Sequence, residues 1–339
     1  MLVLGIDTSC DDTSAGVVEA PAIVRSNVVA SQYDLHAPFG GIVPEIASRA
    51  HAERITSVIE AALREAGVRL GDLSAVAVTH RPGLIGSLIV GVAAAKSLAL
   101  ARDLPLVGVD HIEAHVVAAR ADHPDLLPPF VALVASGGHT ALYACRRPGE
   151  LVRLGSTLDD AAGECFDKVA VLLGLPQPGG PAVSRLAVEG DPKAVRFPRY
   201  RPRDAESAFS FSGLKTAVLY YLKGPGGRRD APDREDLPVR RADVAASFER
   251  AVVDVLVDRT LEGARREGAD RVVVGGGVAA NRELRRGMAR RAPEGVRVLF
   301  PAPALCADNG AMVAIRGIER LAAGARDGLD LDVKATGKP

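Results

Sequence analysis

Apolar and polar residues alternate along the chain in two patterns, one typical of strands and one typical of helices. Short apolar runs bounded by polar or glycine-containing turns predict strands. At residues 45–66, Ile46, Ile55, Ile59 and Leu63 fall near one helix face by 3.6-residue spacing, which predicts an amphipathic helix. The first part of the chain is predicted to form strands at residues 2–7, 15–18, 22–30, 75–78 and 106–109, and helices at residues 45–66, 87–101 and from His111 onward.

The same order of elements restarts after Pro128 and Pro129. Each half opens with strand, polar turn, strand and strand and continues with helices, so the chain contains a weak repeat of a whole fold. Strands that alternate with helices favour the α/β class. The second half is predicted to form strands at residues 130–135, 139–145, 151–154, 271–274 and 296–300, a long helix at residues 241–267 and a final helix from about Asp308.

These patterns predict a lobe at residues 1–128, a second lobe at residues 129–325 and a tail at residues 326–339. Residues 181–241 are predicted as a helical segment inserted into the second lobe. Within it, the motif FSFSG at Phe209 starts a helix, and residues 224–238, rich in Arg, Pro, Gly and Asp, are predicted as an exposed loop.

Charge and cysteine content narrow the possible functions. Lys plus Arg and Asp plus Glu both number 42, so the formal net charge is zero and any contact with nucleic acid must use a local basic patch. The four cysteines are widely spaced and form no CxxC pair, which favours reduced thiols over disulfides or a structural zinc site.

The N-terminal sequence MLVLGIDTSCDD lacks a basic segment and meets acidic residues early, so a signal peptide is not expected. The apolar stretch at residues 83–100 contains three glycines and Lys96 and is shorter than the roughly 20 residues that a membrane span needs. It is predicted as a buried helix packed against a sheet. We therefore expect a soluble, cytoplasmic protein that makes no membrane contact.

Three turns at strand ends are compatible with phosphate. The first, GIDTSCDDT at residues 5–13, offers hydroxyl donors, and its Asp11 suggests metal-assisted binding or work as a base. The second and third are SGGHT at residues 136–140 and GGGVAAN at residues 275–281, whose glycines allow backbone N–H groups to surround an anion. Each alone is compatible with an ordinary tight turn. Together they favour a nucleotide between two similar lobes.

The sequence HIEAH places His111 and His115 four residues apart on one helix face, where both can bind one metal ion. Two surface histidines would give the same pattern. It differs from the HExxH motif of zinc proteases because Glu113 follows the first histidine by two positions. A third ligand is required, and Asp308 in CADNGA is a candidate, although an aspartate at a helix start is commonly an N-cap.

Nine blocks of sequence follow one another between about residue 2 and residue 325: GIDTSCDDTSAGVV, HAPFGGIVPEIASRAH, VDHIEAHVVAA, VASGGHTAL, DDAAGECFDKVA, PGGPAVS, FSFSGLKTAV, GGGVAANRELR and CADNGAMVA. In this order they resemble the TsaD family of tRNA N6-threonylcarbamoyladenosine transferases. HAPFGGIVPE and DDAAGECFDK are more similar to the bacterial branch of that family than to the archaeal one.

The resemblance implies the two-lobed fold of the superfamily of actin, heat-shock ATPase chaperones and sugar kinases (ASKHA), with duplicated ribonuclease H-like lobes and an active site in the cleft between them. It implies one metal ion, iron or otherwise zinc, bound by His111, His115 and Asp308, which would leave coordination positions open. The implied nucleotide contacts are Val134, Ala135, Ser136, Gly137, Gly138, Asp167, Gly180 and Asn281. Of these, Asp167 would accept hydrogen bonds from the ribose hydroxyls and Asn281 would contact the base. Ser184 is a possible contact, at a position where some relatives carry an acidic residue.

The implied reaction transfers threonylcarbamoyl from threonylcarbamoyl-adenylate to N6 of adenosine 37 in tRNAs that read ANN codons, forming t6A and releasing AMP. Asp11 is our candidate for the residue that orients the substrate or transfers a proton. The implied partners are tRNA, a TsaB-type paralogue, a TsaE-type small ATPase and a TsaC-type synthase, and the chain alone could form a homodimer. A patch of Arg196, Arg199, Arg201, Arg203 and Lys215 is predicted either to contact the tRNA backbone or to be a solvated surface.

One position departs from the family pattern. Relatives commonly have a Gly-Pro-Gly turn where this chain has Arg81-Pro82-Gly83, so the Arg81 side chain would either clash or add a phosphate contact. Three other classes of protein compete with the transferase. They are a metalloprotease that uses HIEAH, a phosphotransferase or ATP-driven chaperone that turns over ATP without needing His111, and a non-catalytic scaffold of the same fold, whose family members lack the metal ligands.

Overall fold

Two sheets with the same internal order form the framework of the structure. The computed structural model describes residues 1–39, 41–201, 207–232 and 239–336. In these ranges the strands are β1 (Leu2–Asp7), β2 (Asp12–Glu19), β3 (Ile23–Ser31), β4 (Ala75–Arg81), β5 (Leu106–Asp110), β6 (Phe130–Ala135), β7 (Thr140–Arg147), β8 (Glu150–Thr157), β9 (Ser207–Phe209), β10 (Arg271–Gly275) and β11 (Arg297–Leu299). The helices are α1 (Tyr33–His36), α2 (Pro44–Ala66), α3 (Ile85–Arg102), α4 (His111–Val117), α5 (Ala162–Leu172), α6 (Gly179–Ala187), α7 (Ser212–Lys223), α8 (Arg241–Glu267), α9 (Arg282–Arg291) and α10 (Gly310–Ala322).

The first sheet has the order β3-β2-β1-β4-β5, and the second has the order β11-β10-β6-β7-β8-β9. In the first, β1, β2 and β3 are antiparallel neighbours, and β4 and β5 continue parallel to β1. In the second, β6, β7 and β8 are antiparallel neighbours, and β10 and β11 continue parallel to β6. The short strand β9 adds to the edge of the second sheet. The repeat and the α/β class predicted from the sequence are therefore confirmed.

The chain divides into two units. Unit 1 comprises Met1–Leu126 and Ala304–Pro339, and unit 2 comprises Leu127–Pro303. The first boundary lies within two residues of the predicted one. The second differs from the prediction, which assigned residues 304–325 to the second lobe. The physical reason is that α10 buries nearly its whole length against the first sheet and α4.

Helices cover both faces of the sheet in unit 1. On one face, α2 and α3 bury Ile55, Ile59 and Val92 against Leu4 and Val78. The opposite face is covered by α4 and α10. Each face of a sheet must be shielded from water by a packed layer, and this arrangement does so for both.

Helix α3 is the element predicted as a buried helix at residues 87–101. It is long and apolar enough to cross a membrane by length and composition alone. One face, which includes Leu88, Val92 and Ala95, is buried beside the sheet, as predicted. The other face is exposed, and Leu100 is 70 % accessible.

Glycines allow α10 to lie directly on the first sheet. A Cβ atom on Gly5 would lie 2.1 Å from the carbonyl oxygen of Gly310, and one on Gly310 would lie 2.3 Å from the backbone nitrogen of Gly16. No other residue type fits such backbone-to-backbone contact. The contact fixes the start of α10, and with it the segment that precedes Gly310, against β1 and β2.

The inserted segment of unit 2 is anchored at the FSFSG motif. Asp159 accepts hydrogen bonds from the backbone nitrogens of Phe211 and Ser212 at 2.8 and 3.2 Å, and from the hydroxyls of Ser210 and Ser212 at 2.6 Å each. These bonds hold the start of α7, the helix that the motif predicts. Residues 233–238, part of the predicted loop at residues 224–238, lie outside the described residues.

Candidate metal centre and nucleotide site

Helix α4 presents both histidines of HIEAH. The preceding residue, Asp110, caps the helix because its Oδ1 accepts hydrogen bonds from the backbone nitrogens of Ile112 and Glu113 at 3.0 and 3.4 Å. His111 is the first residue of the helix and His115 follows one turn later, and both are buried. Their ring centroids lie 4.6 Å apart. The two histidines are therefore not independent surface residues.

Asp308 is free of the capping role that the sequence left open for it. The N-cap of α10 is Asn309, whose Oδ1 accepts from the backbone nitrogen of Met312 at 2.9 Å. The amide of Asn309 also donates to the carbonyl oxygens of Ala307 and Leu305 at 2.8 and 3.3 Å. Because Asn309 is fully buried and holds its neighbours in place, the Asp308 carboxylate can face the histidines.

The distances among these three side chains fit a metal site. The Oδ1 atom of Asp308 lies 3.5 Å from Nε2 of His111 and 3.1 Å from Nε2 of His115, and the three ligand atoms all lie within 4.8 Å of one another. Metal bonds of about 2.1 Å with angles of 90–109° place neighbouring donor atoms about 3.0–3.4 Å apart. The structure thus brings together all three predicted ligands in a geometry that one ion can occupy.

A fourth residue, Asp7, faces the far side of the His111 ring. Its Oδ2 lies 3.3 Å from Nδ1 of His111, and its two carboxylate oxygens accept from the backbone nitrogen and hydroxyl of Ser9 at 3.1 and 3.3 Å. Carboxylates in this position orient metal-binding histidines and fix their tautomer. The prediction did not include Asp7, although its place at the end of β1, four residues before Asp11, was a usable signal.

The pKa values of His111 and Asp308 are shifted in opposite directions. Burial lowers the pKa of His111, but Asp308 and Asp7 raise it by more, so that it lies well above its usual range. Burial raises the pKa of Asp308, but His111 and then His115 lower it by more, so that it lies well below its usual range. His111 and Asp308 therefore form an ion pair, in which bound metal would compete with a proton on His111.

The turn after β1 carries the predicted catalytic residue Asp11. Burial, followed by the charge of Asp308, raises the pKa of Asp11. Burial, followed by Asp11 and Asp308, also raises the pKa of Asp12 to about 7. The turn is held by His51, whose Nδ1 and Nε2 lie 2.7 Å from the Thr13 hydroxyl and 3.1 Å from the Cys10 carbonyl oxygen.

Arg81, which departs from the family pattern, pairs with the cap of α4. Its Nε lies 3.2 Å from Oδ2 of Asp110, and both side chains are largely buried. Asp110 thus uses one carboxylate oxygen for the helix and the other for Arg81. The side chain adds a contact within unit 1.

Glu113, the acidic residue of HIEAH, is paired with an arginine and does not serve as the general base that a metalloprotease would require. Its Oε2 accepts from Nε and Nη2 of Arg316 on α10 at 2.9 and 2.8 Å. Arg316 also pairs with Glu319 at 2.8 Å. A carboxylate with a buried guanidinium as its partner does not serve as the general base of a protease, so this alternative loses its main support.

In unit 2, the predicted phosphate-binding turn lies beside the third glycine turn. Strands β6 and β10 are parallel neighbours, with Val134 opposite Gly275. Ala135 ends β6, and Ser136 closes the next turn, because its backbone nitrogen donates a hydrogen bond to the carbonyl oxygen of His139 at 2.8 Å. Cβ atoms on Gly137 and Gly138 would meet nothing within 4 Å, so the backbone of this turn borders open space. The arrangement leaves room for an anion at the backbone.

The start of α6 is tied to α5 by Asp167. Its Oδ1 accepts from the backbone nitrogen of Gly179 at 2.7 Å. A Cβ atom on Gly180 would also meet nothing within 4 Å. Asp167 therefore holds the start of α6 in place, in addition to the predicted ribose contact. The face of α6 at Gly180 is open.

Ser184 and Asn281 meet at Glu249, a residue of α8 that the prediction did not include. Oε1 of Glu249 accepts from the Ser184 hydroxyl at 2.6 Å and from Nδ2 of Asn281 at 2.8 Å. Nδ2 of Asn281 also donates to the Ser184 oxygen at 3.1 Å, and its Oδ1 caps α9 through Leu284 at 2.8 Å. No motif in the sequence marks Glu249, because it lies in the middle of an amphipathic helix.

The predicted basic patch is partly neutralised. Lys215 pairs with Asp160 at 3.0 Å, and Arg199 pairs with Asp254 at 3.0 Å. Arg203 lies outside the described residues. These pairs hold the inserted segment against unit 2, so the two paired side chains have a structural role that the sequence did not reveal.

Comparison with known proteins agrees with this arrangement. The model of the TsaD family, described as tRNA N6-adenosine threonylcarbamoyltransferase, matches residues 23–315. A protein of that name from Geobacter metallireducens is 53% identical over 98% of this chain and 95% of its own length. One from Syntrophotalea carbinolica is 51% identical over 99% of this chain and 96% of its own length.

A likeness to solved structures shows the fold. Component A of (R)-2-hydroxyglutaryl-CoA dehydratase from Acidaminococcus fermentans is 16% identical, with a TM-score of 0.56 over 95% of this chain and 99% of its own. The predicted ASKHA-type fold is thereby confirmed. From the family model and the extent of the sequence identity, this chain belongs to the TsaD family of tRNA N6-adenosine threonylcarbamoyltransferases.

Proposed function

We propose that this chain is the metal-dependent subunit that transfers threonylcarbamoyl from threonylcarbamoyl-adenylate to N6 of adenosine 37, in tRNAs that read ANN codons, with release of AMP. The convergence of His111, His115 and Asp308 supports the metal dependence, because ligands from two segments 193 residues apart meet at one point. Two imidazoles and one carboxylate suit Fe²⁺ and also Zn²⁺, and they leave coordination positions open for substrate.

A cation held by these side chains would act as a Lewis acid toward the phosphate and carbonyl oxygens on which negative charge develops. Asp7 orients His111 through Nδ1, so that Nε2 faces the ion. Asp11 has a raised pKa, which brings its carboxylate closer to the range in which a general base works near neutral pH. We assign Asp11 the role of the general base, which accepts the proton that the N6 amine loses when it attacks.

Unit 2 contributes the nucleotide contacts in this proposal. The backbone of Val134, Ala135, Ser136, Gly137 and Gly138 binds the phosphate, since the two glycines of this turn border open space. Asp167 and Gly180 lie beside the ribose. The target adenosine must leave its base stack, which costs least in a single-stranded anticodon loop.

The proposal extends to location and partners. We place the reaction in the cytoplasm, where tRNA is modified, and expect the chain to work with a TsaB-type paralogue and a TsaE-type ATPase. A TsaC-type synthase supplies the adenylate. In the absence of the paralogue, the chain would form a homodimer, which light scattering of the purified protein can test.

The test is depletion of the protein in its host, followed by mass spectrometry of the nucleosides of bulk tRNA. We expect t6A to fall below a tenth of its normal level, wild type to restore it, and Asp308→Ala to fail because one of three metal ligands is lost. The matched control is Asp330→Ala, which removes an exposed aspartate from the same C-terminal segment and should restore t6A.

Two outcomes contradict the proposal. Normal t6A after depletion would exclude the transfer reaction. Full rescue by Asp308→Ala, with metal still bound to the purified variant, would exclude the assignment of the metal ligands.

A further inference from the structure

Glu249 is a buried carboxylate in unit 2 that lacks a cationic partner among the described residues. Its exposed fraction is only 8 %, and it lies on α8 among apolar neighbours such as Phe248 and Val252. Burial of a carboxylate without compensating hydrogen bonds is unfavourable. The group therefore requires hydrogen-bond donors, and their positions indicate what it does.

Both donors that Glu249 receives in the described structure reach the same oxygen. The Ser184 hydroxyl and Nδ2 of Asn281 lie 2.6 and 2.8 Å from Oε1. Within the described residues, Oε2 takes part in no hydrogen bond. Oε1 thus holds α6 and the start of α9, and Oε2 is left to accept a hydrogen bond from a ligand.

The neighbouring side chains have no hydrogen left to donate to a ligand. Ser184 gives its one hydroxyl hydrogen to Glu249. Asn281 gives its two amide hydrogens to Ser184 and Glu249, and its oxygen caps α9. Among the described residues at this junction, Oε2 of Glu249 is an acceptor that no hydrogen bond uses.

Open space lies on the same face of α6. Gly180 precedes Ser184 by one helical turn, so the two positions share a face of the helix. Since a Cβ on Gly180 would meet nothing within 4 Å, a ligand can approach the helix there. A ligand that packs against Gly180 and carries hydroxyl groups at its end would donate a hydrogen bond to Oε2 of Glu249.

We propose that Oε2 of Glu249 accepts a hydrogen bond from a ribose hydroxyl of the adenine nucleotide, and that it determines the preference for ribose over deoxyribose. This inference rests on the proposed function, which places an adenylate in unit 2. It also gives Asn281 a positioning role in place of the predicted contact with the base, because its amide is already occupied by Glu249 and Ser184.

Isothermal titration calorimetry with AMP, 2′-deoxy-AMP and 3′-deoxy-AMP tests the inference. We expect the wild-type protein to bind AMP about tenfold more tightly than at least one deoxy analogue, as is typical for a hydrogen bond to a charged group. Glu249→Gln keeps the shape and an acceptor for Asn281 and Ser184, but replaces the second oxygen by an NH₂ donor. It should bind AMP and that analogue with equal affinity.

The control is Glu60→Gln, which changes an exposed glutamate of unit 1 and should leave the preference for AMP unchanged. Thermal unfolding of each variant shows whether it folds. If Glu249→Gln does not fold, equal binding of AMP and both analogues by the wild type would still overturn the inference.

The remaining outcomes separate this inference from the proposed function. A Glu249→Gln variant that weakens all three nucleotides by the same factor would show a purely structural role and overturn the inference alone. Failure of the wild type to bind any of the three would overturn the nucleotide site of the proposed function, and the inference with it.

Discussion

The candidate sites of the two units are built from different parts of the chain. In unit 1, charged and imidazole side chains converge, and their distances from one another are set by the caps of two helices, Asp110 and Asn309. In unit 2, the turns at Gly137, Gly138 and Gly277 border open space, whereas the backbone of Gly276 touches that of Ala135. The first site should therefore be sensitive to changes of charge, and the second to a carbon atom added where two backbone segments touch.

The largest effect that tests this contrast is expected at Gly276. Its φ of 87° disfavours a side chain, and a Cβ atom would lie 2.3 Å from the carbonyl oxygen of Ala135. We expect Gly276→Ala to lower the free energy of unfolding by roughly 2–5 kcal/mol, because strain and overpacking add. Urea denaturation measures this.

The adjacent Gly277 is a matched control, because a Cβ atom there would meet nothing within 4 Å. Gly277→Ala should change the free energy of unfolding by less than about 1 kcal/mol. Equal losses in the two variants would contradict the conclusion that backbone contact, and not glycine content, shapes unit 2.

An intermediate effect, on the pH dependence of the free energy of unfolding, is expected from the neighbouring acidic side chains in unit 1. Asp12 has a pKa of about 7 in the folded protein, above the usual 3.8, with burial the largest cause. The folded state thus binds the proton more tightly, so Asp12 favours folding at low pH, and this contribution is lost as pH rises from about 4 through 7.

Between pH 5 and pH 8, Asp12 should therefore lower the free energy of unfolding by roughly 2–3 kcal/mol. Asp12→Asn should remove that part of the pH dependence and stabilise the protein at pH 8. Urea denaturation in the presence of a chelator measures the difference between wild type and variant. An unchanged pH dependence in Asp12→Asn would show that Asp12 does not carry it.

The smallest effect concerns Asp7, which orients one ligand without binding the metal itself. Asp7→Asn keeps the size of the side chain but removes the charge beside Nδ1 of His111. We expect affinity for Zn²⁺ or Fe²⁺ to fall by about 10–100-fold, the range for residues that orient metal ligands. Competition with a chromophoric chelator measures the affinity.

Asp330→Ala again serves as the control and should bind metal as the wild type does. Wild-type affinity in Asp7→Asn would show that the α4 cap alone orients His111, and the contrast between the two sites would then be weaker than proposed.

The regular elements were predictable where the hydrophobic period is long. The predicted helix at residues 241–267 coincides with α8, and that at residues 45–66 differs from α2 by one residue. Helices α5 and α6 were not delimited, because they are only 11 and nine residues long and begin at or beside glycines, a pattern that also fits a turn. Asp308 was predicted as a metal ligand together with the two histidines, but the packing of the whole of α10 in unit 1 was not predicted, because sequence spacing does not show which sheet a helix packs against.

The candidate sites were predictable to different degrees. His111, His115 and Asp308 have the residue types that bind metal, so their pattern was visible in the sequence and in its resemblance to a family. Glu249 was not visible, because its role follows from partners 65 and 32 residues away. A buried hydrogen-bond network is a property of packing, and spacing along the chain does not encode it.

The return of the chain from unit 2 to unit 1 has a consequence for biosynthesis. The ribosome completes His115 193 residues before Asp308, which at about 5–20 residues per second is a delay of roughly 10–40 seconds. During that time the whole of unit 2 is synthesised, while the nascent chain carries the two histidines without Asp308. Loading of the metal is therefore expected after translation ends, when the last helix closes over a sheet that was among the first parts of the protein to be made.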